Sequence, residues 1–191
     1  METKERMMGI FCFIFILLQG SISASISLNK PCWSSDSFLR TRLLEGCTGT
    51  QVAFHAYLSS TKCYRNHKTF IFDRVQVNRN GGNGGWYNEN TGIFVVPKTG
   101  LYAMTWTVAA DHGTWFSAQL MVNGEVKGVV MTDADVSGRG IGVHPATGFV
   151  LTRLSHDSHV NIRFVSGHGC EVKSDGLIRN TFSGWLMNAA A

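Results

Sequence analysis

From residue 51 onward, apolar side chains recur at every second position. Val52, Phe54, Ala56 and Leu58 alternate with Gln51, Ala53, His55 and Tyr57, the period that puts neighbouring side chains on opposite faces of a strand. Tyr102, Met104, Trp106 and Val108 form one face of a longer run, and Phe116, Ala118, Leu120 and Val122 form another. The second run stops at Asn123-Gly124, a dipeptide that favours a two-residue hairpin turn. Residues 126–130 return from that turn. Residues 150–154, 160–164 and 181–187 add three more strands. Short β-branched and aromatic runs between Gly, Asn and Asp turns predict an antiparallel sandwich or barrel. No helical period of useful length follows residue 50.

The first fifty residues read differently. Lys4 and Arg6 precede an apolar run over residues 7–18, then Gln19, Gly20 and small residues to Ala24. A basic start, a short apolar middle and a small-residue exit describe a secretory signal peptide. The run is well short of the roughly 20 residues a membrane span needs. We expect cleavage after Ala24, giving a secreted, extracellular protein. Residues 25–50 form a short segment in which Ser35 or Asp36 could cap a helix with Phe38, Leu39, Leu43 and Leu44 on one side. Such a helix is too short to stand alone.

Loss of residues 1–24 removes Cys12 and leaves Cys32, Cys47, Cys63 and Cys170. In an oxidising compartment these make up to two disulfides, in three alternative pairings. A ten-residue helix is about 15 Å long, too far for Cys32 and Cys47 to bond across it unless its flanks fold back. They either close a looped segment or link two chains; an interchain link is the expectation. Cys63 and Cys170 lie in loops outside the predicted strands and are the expected pair within the domain.

Composition narrows the classes. The chain has 191 residues, 44% hydrophobic and 16% charged, which suits one folded domain with a short appendage and excludes disorder. Gly is frequent, but no Gly-X-Y period supports a collagen helix. The net charge of +4 is mild and not gathered into the basic patch of a nucleic-acid binder. No Asn-X-Ser/Thr sequon occurs.

No catalytic constellation is legible, so the chain reads as a non-enzyme. The G-x-S-x-G elbow and H-E-x-x-H are both missing. His156-Asp157-Ser158-His159 resembles triad chemistry compressed into one turn, where adjacent side chains cannot align nucleophile, base and orienter. The Gly81-Gly82-Asn83-Gly84-Gly85 tract lacks the Lys and the following helix of a phosphate loop. Asp133, Asp135, Ser137 and Gly138 match the start of a calcium loop, but His144 stands where its bidentate Glu belongs. Asp133 and Asp135 remain a candidate Ca²⁺ pair on a strand-connecting loop. Trp115, His112 and Arg139 fall in or beside predicted loops, the usual place for binding. An aromatic face suits a sugar ring, and Arg suits a carboxylate.

Phe72, Asn78, Tyr87, Phe94, Gly100 and Tyr102 fall in the order and spacing of a family signature: Phe, five residues, Asn, a spacer, an aromatic, six residues, Phe, five residues, Gly-x-Tyr. The paired strands around Asp157 and the ending Phe182-Ser183-Gly184-Trp185-Leu186 agree. Over residues 51–188 the chain resembles the complement C1q globular-head family. Asn78 and Tyr87 are separated by eight residues instead of the family's four, which makes the Gly-rich tract an insertion. Met104 and Trp106 replace the family's usual aromatics. The collagen-like stalk of complement C1q itself is missing.

The resemblance implies a ten-stranded jelly-roll sandwich related to tumour necrosis factor, assembled as a tight homotrimer. Phe94, Tyr102, Phe149, Phe164 and Phe182 are then expected in the core or on the trimer axis. Stalkless secreted members resemble pattern-recognition lectins of innate immunity that bind carbohydrate, sialic acid, lipopolysaccharide or other microbial surface molecules, some with Ca²⁺. Two alternatives stay open. One is a structural protein of extracellular or shell matrix, its trimers linked through Cys32 and Cys47; the other is a cytokine-like receptor ligand.

Overall fold

The protein is described by a computed structural model covering residues 51–79, 85–134 and 142–190. The expected signal peptide and N-terminal segment, with Cys32 and Cys47, and also Asp135 and Arg139, lie outside the described residues.

Among the described residues, twelve strands form two antiparallel sheets. They are β1 Ala53–Tyr57, β2 Lys62–Cys63, β3 Arg74–Arg79, β4 Tyr87–Asn88, β5 Ile93–Val95 and β6 Gly100–Ala110, then β7 Trp115–Val122, β8 Glu125–Asp133, β9 His144–Leu154, β10 His159–His168, β11 Glu171–Val172 and β12 Thr181–Ala189. The seven-stranded sheet runs β2-β11-β6-β12-β1-β3, with β9 on the other edge of β6; the five-stranded sheet runs β4-β5-β10-β7-β8. This is the expected jelly-roll sandwich. The count exceeds the expected ten, and three of the twelve strands are only two residues long.

Alternation decides which side chains enter the core. Phe54, Tyr102, Met104, Trp106, Phe116, Leu120, Phe164 and Phe182 are all buried between the sheets. Phe54 is the hub, stacked on Tyr87 and Phe94 with centroids 5.2 and 4.5 Å away, and meeting Phe182 edge-on at 4.9 Å. Such pairs add about 0.5–1.5 kcal/mol beyond their burial.

Asn123 and Gly124 both take positive φ, 50° and 87°, as the hairpin between β7 and β8 requires. The His156–Ser158 segment is likewise a turn. Asp157 has φ 62° and its N–H donates to Val96 O at 2.8 Å. His156 pairs with Asp157, whereas the Ser158 hydroxyl accepts from Asn123 Nδ2 at 3.3 Å. The compressed triad is therefore a structural corner.

Trp106 explains two further glycines. A Cβ on Gly148 would lie 2.2 Å from the Trp106 ring, and one on Gly128 would lie 2.7 Å from it. The indole fills the space that those side chains would occupy. Strand β9 starts at His144, earlier than its hydrophobic pattern indicates. Pro145 and Gly148 interrupt the alternation, yet all eleven residues pair with β6. Proline is tolerated there because β9 is an edge strand.

The inserted Gly-rich tract is bracketed by its flanking motif residues. Asn78 Nδ2 donates to Tyr87 O at 2.9 Å, and Tyr87 N donates to Asn78 Oδ1 at 3.1 Å. The Tyr87 hydroxyl then joins both backbone groups of Phe72, at 3.1 and 3.2 Å. Burial drives the phenol's pKa far above its ordinary value despite the hydrogen bond to Phe72.

Candidate functional site

The sandwich has two ends. At the basal end, Leu186 N donates to Val52 O and Ala190 N donates to Thr99 O, so β1 begins where β12 finishes. The opposite, distal end gathers residues 58–62, the 111–114 turn and residues 173–180. Each predicted ligand residue that is described lies at this distal end.

Trp115 opens β7 and Asp133 closes β8, and the two are direct partners across the strand pair. His168, the last residue of β10, pairs with Trp115 on its other side. The structure therefore brings together His168, Trp115 and Asp133 in one row. Sequence reasoning named two of these and missed His168, which lies 53 positions beyond Trp115. Strand alternation alone does not give the cross-strand register that joins them. His112 sits on the neighbouring turn, its N–H donating to Asp111 Oδ1 at 2.8 Å. That turn is tied to the end of β8 by Gly113 N to Ala134 O and Ala134 N to Thr114 O. Of the calcium pair only Asp133 is described; it is exposed at the end of β8. Among the described residues no group of three or more His, Cys, Asp or Glu is arranged to hold a metal.

Buried polar residues knit this end together. Thr132, on the five-stranded sheet, accepts from Ala110 N at 3.3 Å and donates to His144 O, both on the other sheet. Asn180 accepts from Ala109 N at 2.6 Å and donates to Lys173 O at 2.5 Å. Ser174 donates to Leu58 O at 2.8 Å. Burial without a partner would cost about 1–3 kcal/mol per group, so these bonds permit a polar, ordered loop end. Lys173 Nζ lies 3.4 Å from Asp111 and 3.8 Å from Asp175. Asp175 is held below the usual carboxylate range by the backbone N–H groups of Leu177 and Ile178. Cys63 and Cys170 form a disulfide with Cα atoms 4.6 Å apart, the expected pair within the domain.

The outer face of the seven-stranded sheet has the opposite chemistry. Phe149, Leu151, Trp185 and Met187 are 58%, 53%, 40% and 55% exposed. Leu151, Ala103 and Trp185 lie in one cross-strand row, and Phe149, Thr105, Ser183 and His55 lie in the next. Ala103 is fully buried between its large neighbours. Of the five aromatic residues expected in the core or on the trimer axis, Phe149 alone lies outside the core. Exposed Val126, Val129 and Met131 lie on β8 of the other sheet, where Val129 and Met131 pair with Gln119 and Ser117. His55 Nδ1 lies 2.6 Å from Ser183 Oγ, and partial burial lowers its pKa.

The C1q domain family model matches residues 53–187, and the chain belongs to this family. Two solved structures show the same fold. The globular domain of zebrafish complement 1qA matches at 14% identity and TM-score 0.53, over 73% of this chain and 99% of that one. Eiger TNF from S. frugiperda matches at 13% identity and TM-score 0.52, over 75% of this chain and 96% of that one. C1q-type domains usually trimerise, are typically secreted, and as a family are generally non-enzymatic. Among the described residues no helix is long and apolar enough to cross a membrane.

Proposed function

We propose that this chain is a secreted, non-catalytic recognition protein of innate immunity. It works as a homotrimer and binds carbohydrate or microbial surface ligands of the sialic-acid or lipopolysaccharide type through its distal loops. The observation carrying this reading is the separation of an apolar sheet face from a polar, hydrogen-bonded loop end. Phe149, Leu151, Trp185 and Met187 are exposed on β9 and β12, the two strands that flank β6, the mark of an interaction surface rather than of scattered apolar residues. Covering that face in a symmetric trimer leaves three copies of the distal loops open to ligand. Three linked shallow sites bind a repetitive surface more tightly than one.

Trp115, with His112 and Arg139, supplies the ligand-facing chemistry of this reading, and Asp133 with Asp135 the candidate Ca²⁺ position. A glycan and microbial-polysaccharide array, run with Ca²⁺ and again with EDTA, tests it. Saturable binding reversed by the free sugar is the expected result, and loss in EDTA would assign the metal a role. A blank array from a folded trimer would overturn the lectin reading in favour of a matrix or receptor partner.

A further inference from the structure

Residues 64–70 extend the five-stranded sheet along β10 beyond the reach of β5. His67 N donates to Phe164 O at 2.8 Å, Phe164 N to Lys68 O at 2.9 Å and Phe70 N to Ile162 O at 2.8 Å. Distal to His67 the two segments part, at the level where β10 carries a bulge between Phe164 and Gly167 in its pairing with β7. They rejoin at Tyr64 N to Cys170 O, 2.8 Å, beside the Cys63–Cys170 disulfide. Between these two points lies an open cleft of about 410 Å³, lined by Tyr64, Arg65, Asn66, Phe164, Gly169 and Cys170. That volume falls within the range of small-molecule sites, roughly 300–1,000 Å³.

The lining has a definite chemistry. Tyr64 and Phe164 are buried and form the base. The Tyr64 hydroxyl is already engaged by Ile71 N at 3.1 Å. Arg65 and Asn66 stand exposed at the wall, and none of the ion pairs among the described residues involves Arg65. Arg65 is the one charged group of the lining, and Lys68 adds a second cation nearby. Glu171 is the adjacent acid, on β11 beyond the disulfide. A guanidinium is a planar fork that matches the two oxygens of a carboxylate, whereas an amide both donates to and accepts from hydroxyls. Because the cleft is pinned at both ends, little conformational freedom is lost on binding.

We propose that this cleft binds the carboxylate-bearing sugar unit of an acidic glycan, with Arg65 on the carboxylate and Asn66 on ring hydroxyls. The proposal rests on the recognition reading above and names the ligand class and a site separate from Trp115. Both hexuronate and sialyl sugars carry such a carboxylate, so each serves as a probe: a polyuronate tetrasaccharide and a sialyl trisaccharide, each also in carboxyl-reduced form. Titration of the full-length secreted protein should show binding of at least one acidic probe and none of its reduced counterpart. Arg65→Ala should weaken that binding on the order of tenfold or more. Arg65→Lys should lose less and Asn66→Ala severalfold, with unchanged melting temperatures because both side chains are exposed. Glycan binding that is indifferent to Arg65→Ala, or to carboxyl reduction, would overturn the cleft assignment and leave the recognition reading intact. Wild-type protein that binds no sugar at all would remove both.

Discussion

The outer faces of the two sheets differ in what they leave exposed. On the seven-stranded sheet, β9 and β12 turn Phe149, Leu151, Trp185 and Met187 to the outside. On the five-stranded sheet, the corresponding positions of the inner strands β7 and β10 carry Gln119, Asn161 and Arg163, which bond to one another and to the 64–70 segment. Among its described residues, only the edge strand β8 leaves the large apolar Val129 and Met131 exposed. Arg163 Nη2 donates to Gln119 Oε1 at 2.9 Å, and Asn161 Nδ2 donates to Thr69 Oγ1 at 3.1 Å. Both sheets share one core, so the contrast is not about folding. Polar side chains that bond to one another need no further partner, whereas a set of large exposed apolar side chains marks a surface for another molecule to cover.

The most direct way to break this contrast is to charge the apolar face. Phe149→Glu with Leu151→Glu should reduce the molar mass in solution from three chains to one, read by light scattering, while circular dichroism retains the β signature. The exposed Ser166→Glu on β10 should leave the mass unchanged. A core change acts differently. Phe54→Ala removes the hub of the aromatic cluster and should cost about 3–5 kcal/mol in denaturant unfolding of the assembly-deficient variant, with any residual assembly as a secondary effect. Replacing Cys63 and Cys170 by Ser frees a loop of 107 residues and should cost roughly 2–5 kcal/mol. Asn78→Ala should cost about 1–3 kcal/mol, because it leaves the Tyr87 backbone groups without their side-chain partner.

The smallest effect is electrostatic. Desolvation works to raise the pKa of Asp73, but the Ser59 hydroxyl and N–H and the Lys62 ammonium outweigh it and hold the pKa down at about 2. A depressed carboxyl pKa contributes stability above the unfolded value near 3.8, and that contribution is lost as pH falls through about 2. Because Asp73 is partly exposed, the loss should be about 1 kcal/mol or less. Asp73→Asn should flatten the melting temperature between pH 4 and pH 2 relative to the wild type.

Much of the fold was legible because it depends on local alternation. The inward sets of β1, β6 and β7, the Asn123-Gly124 turn and the corner at Asp157 all followed from residue type. Strand β3 did not, since Arg74–Arg79 is an edge strand with few buried positions and carries no clean period. The first half of β9 was hidden by Pro145 and Gly148, whose reasons are an open edge and the bulk of Trp106. The candidate site was less legible still. Trp115, His112 and Asp133 were found by type and loop position, but His168 and the Arg65 cleft depend on register and on a β-bulge. Asn180, Ser174 and Thr132 are polar residues whose burial follows only from tertiary packing.

The central claim is that the apolar face of the seven-stranded sheet is an assembly surface. Sedimentation equilibrium of the purified protein at micromolar concentration tests it most directly. The account predicts a mass of three chains, reduced to one by the Phe149 and Leu151 charge variant. A wild-type protein that sediments as a single folded chain would contradict it.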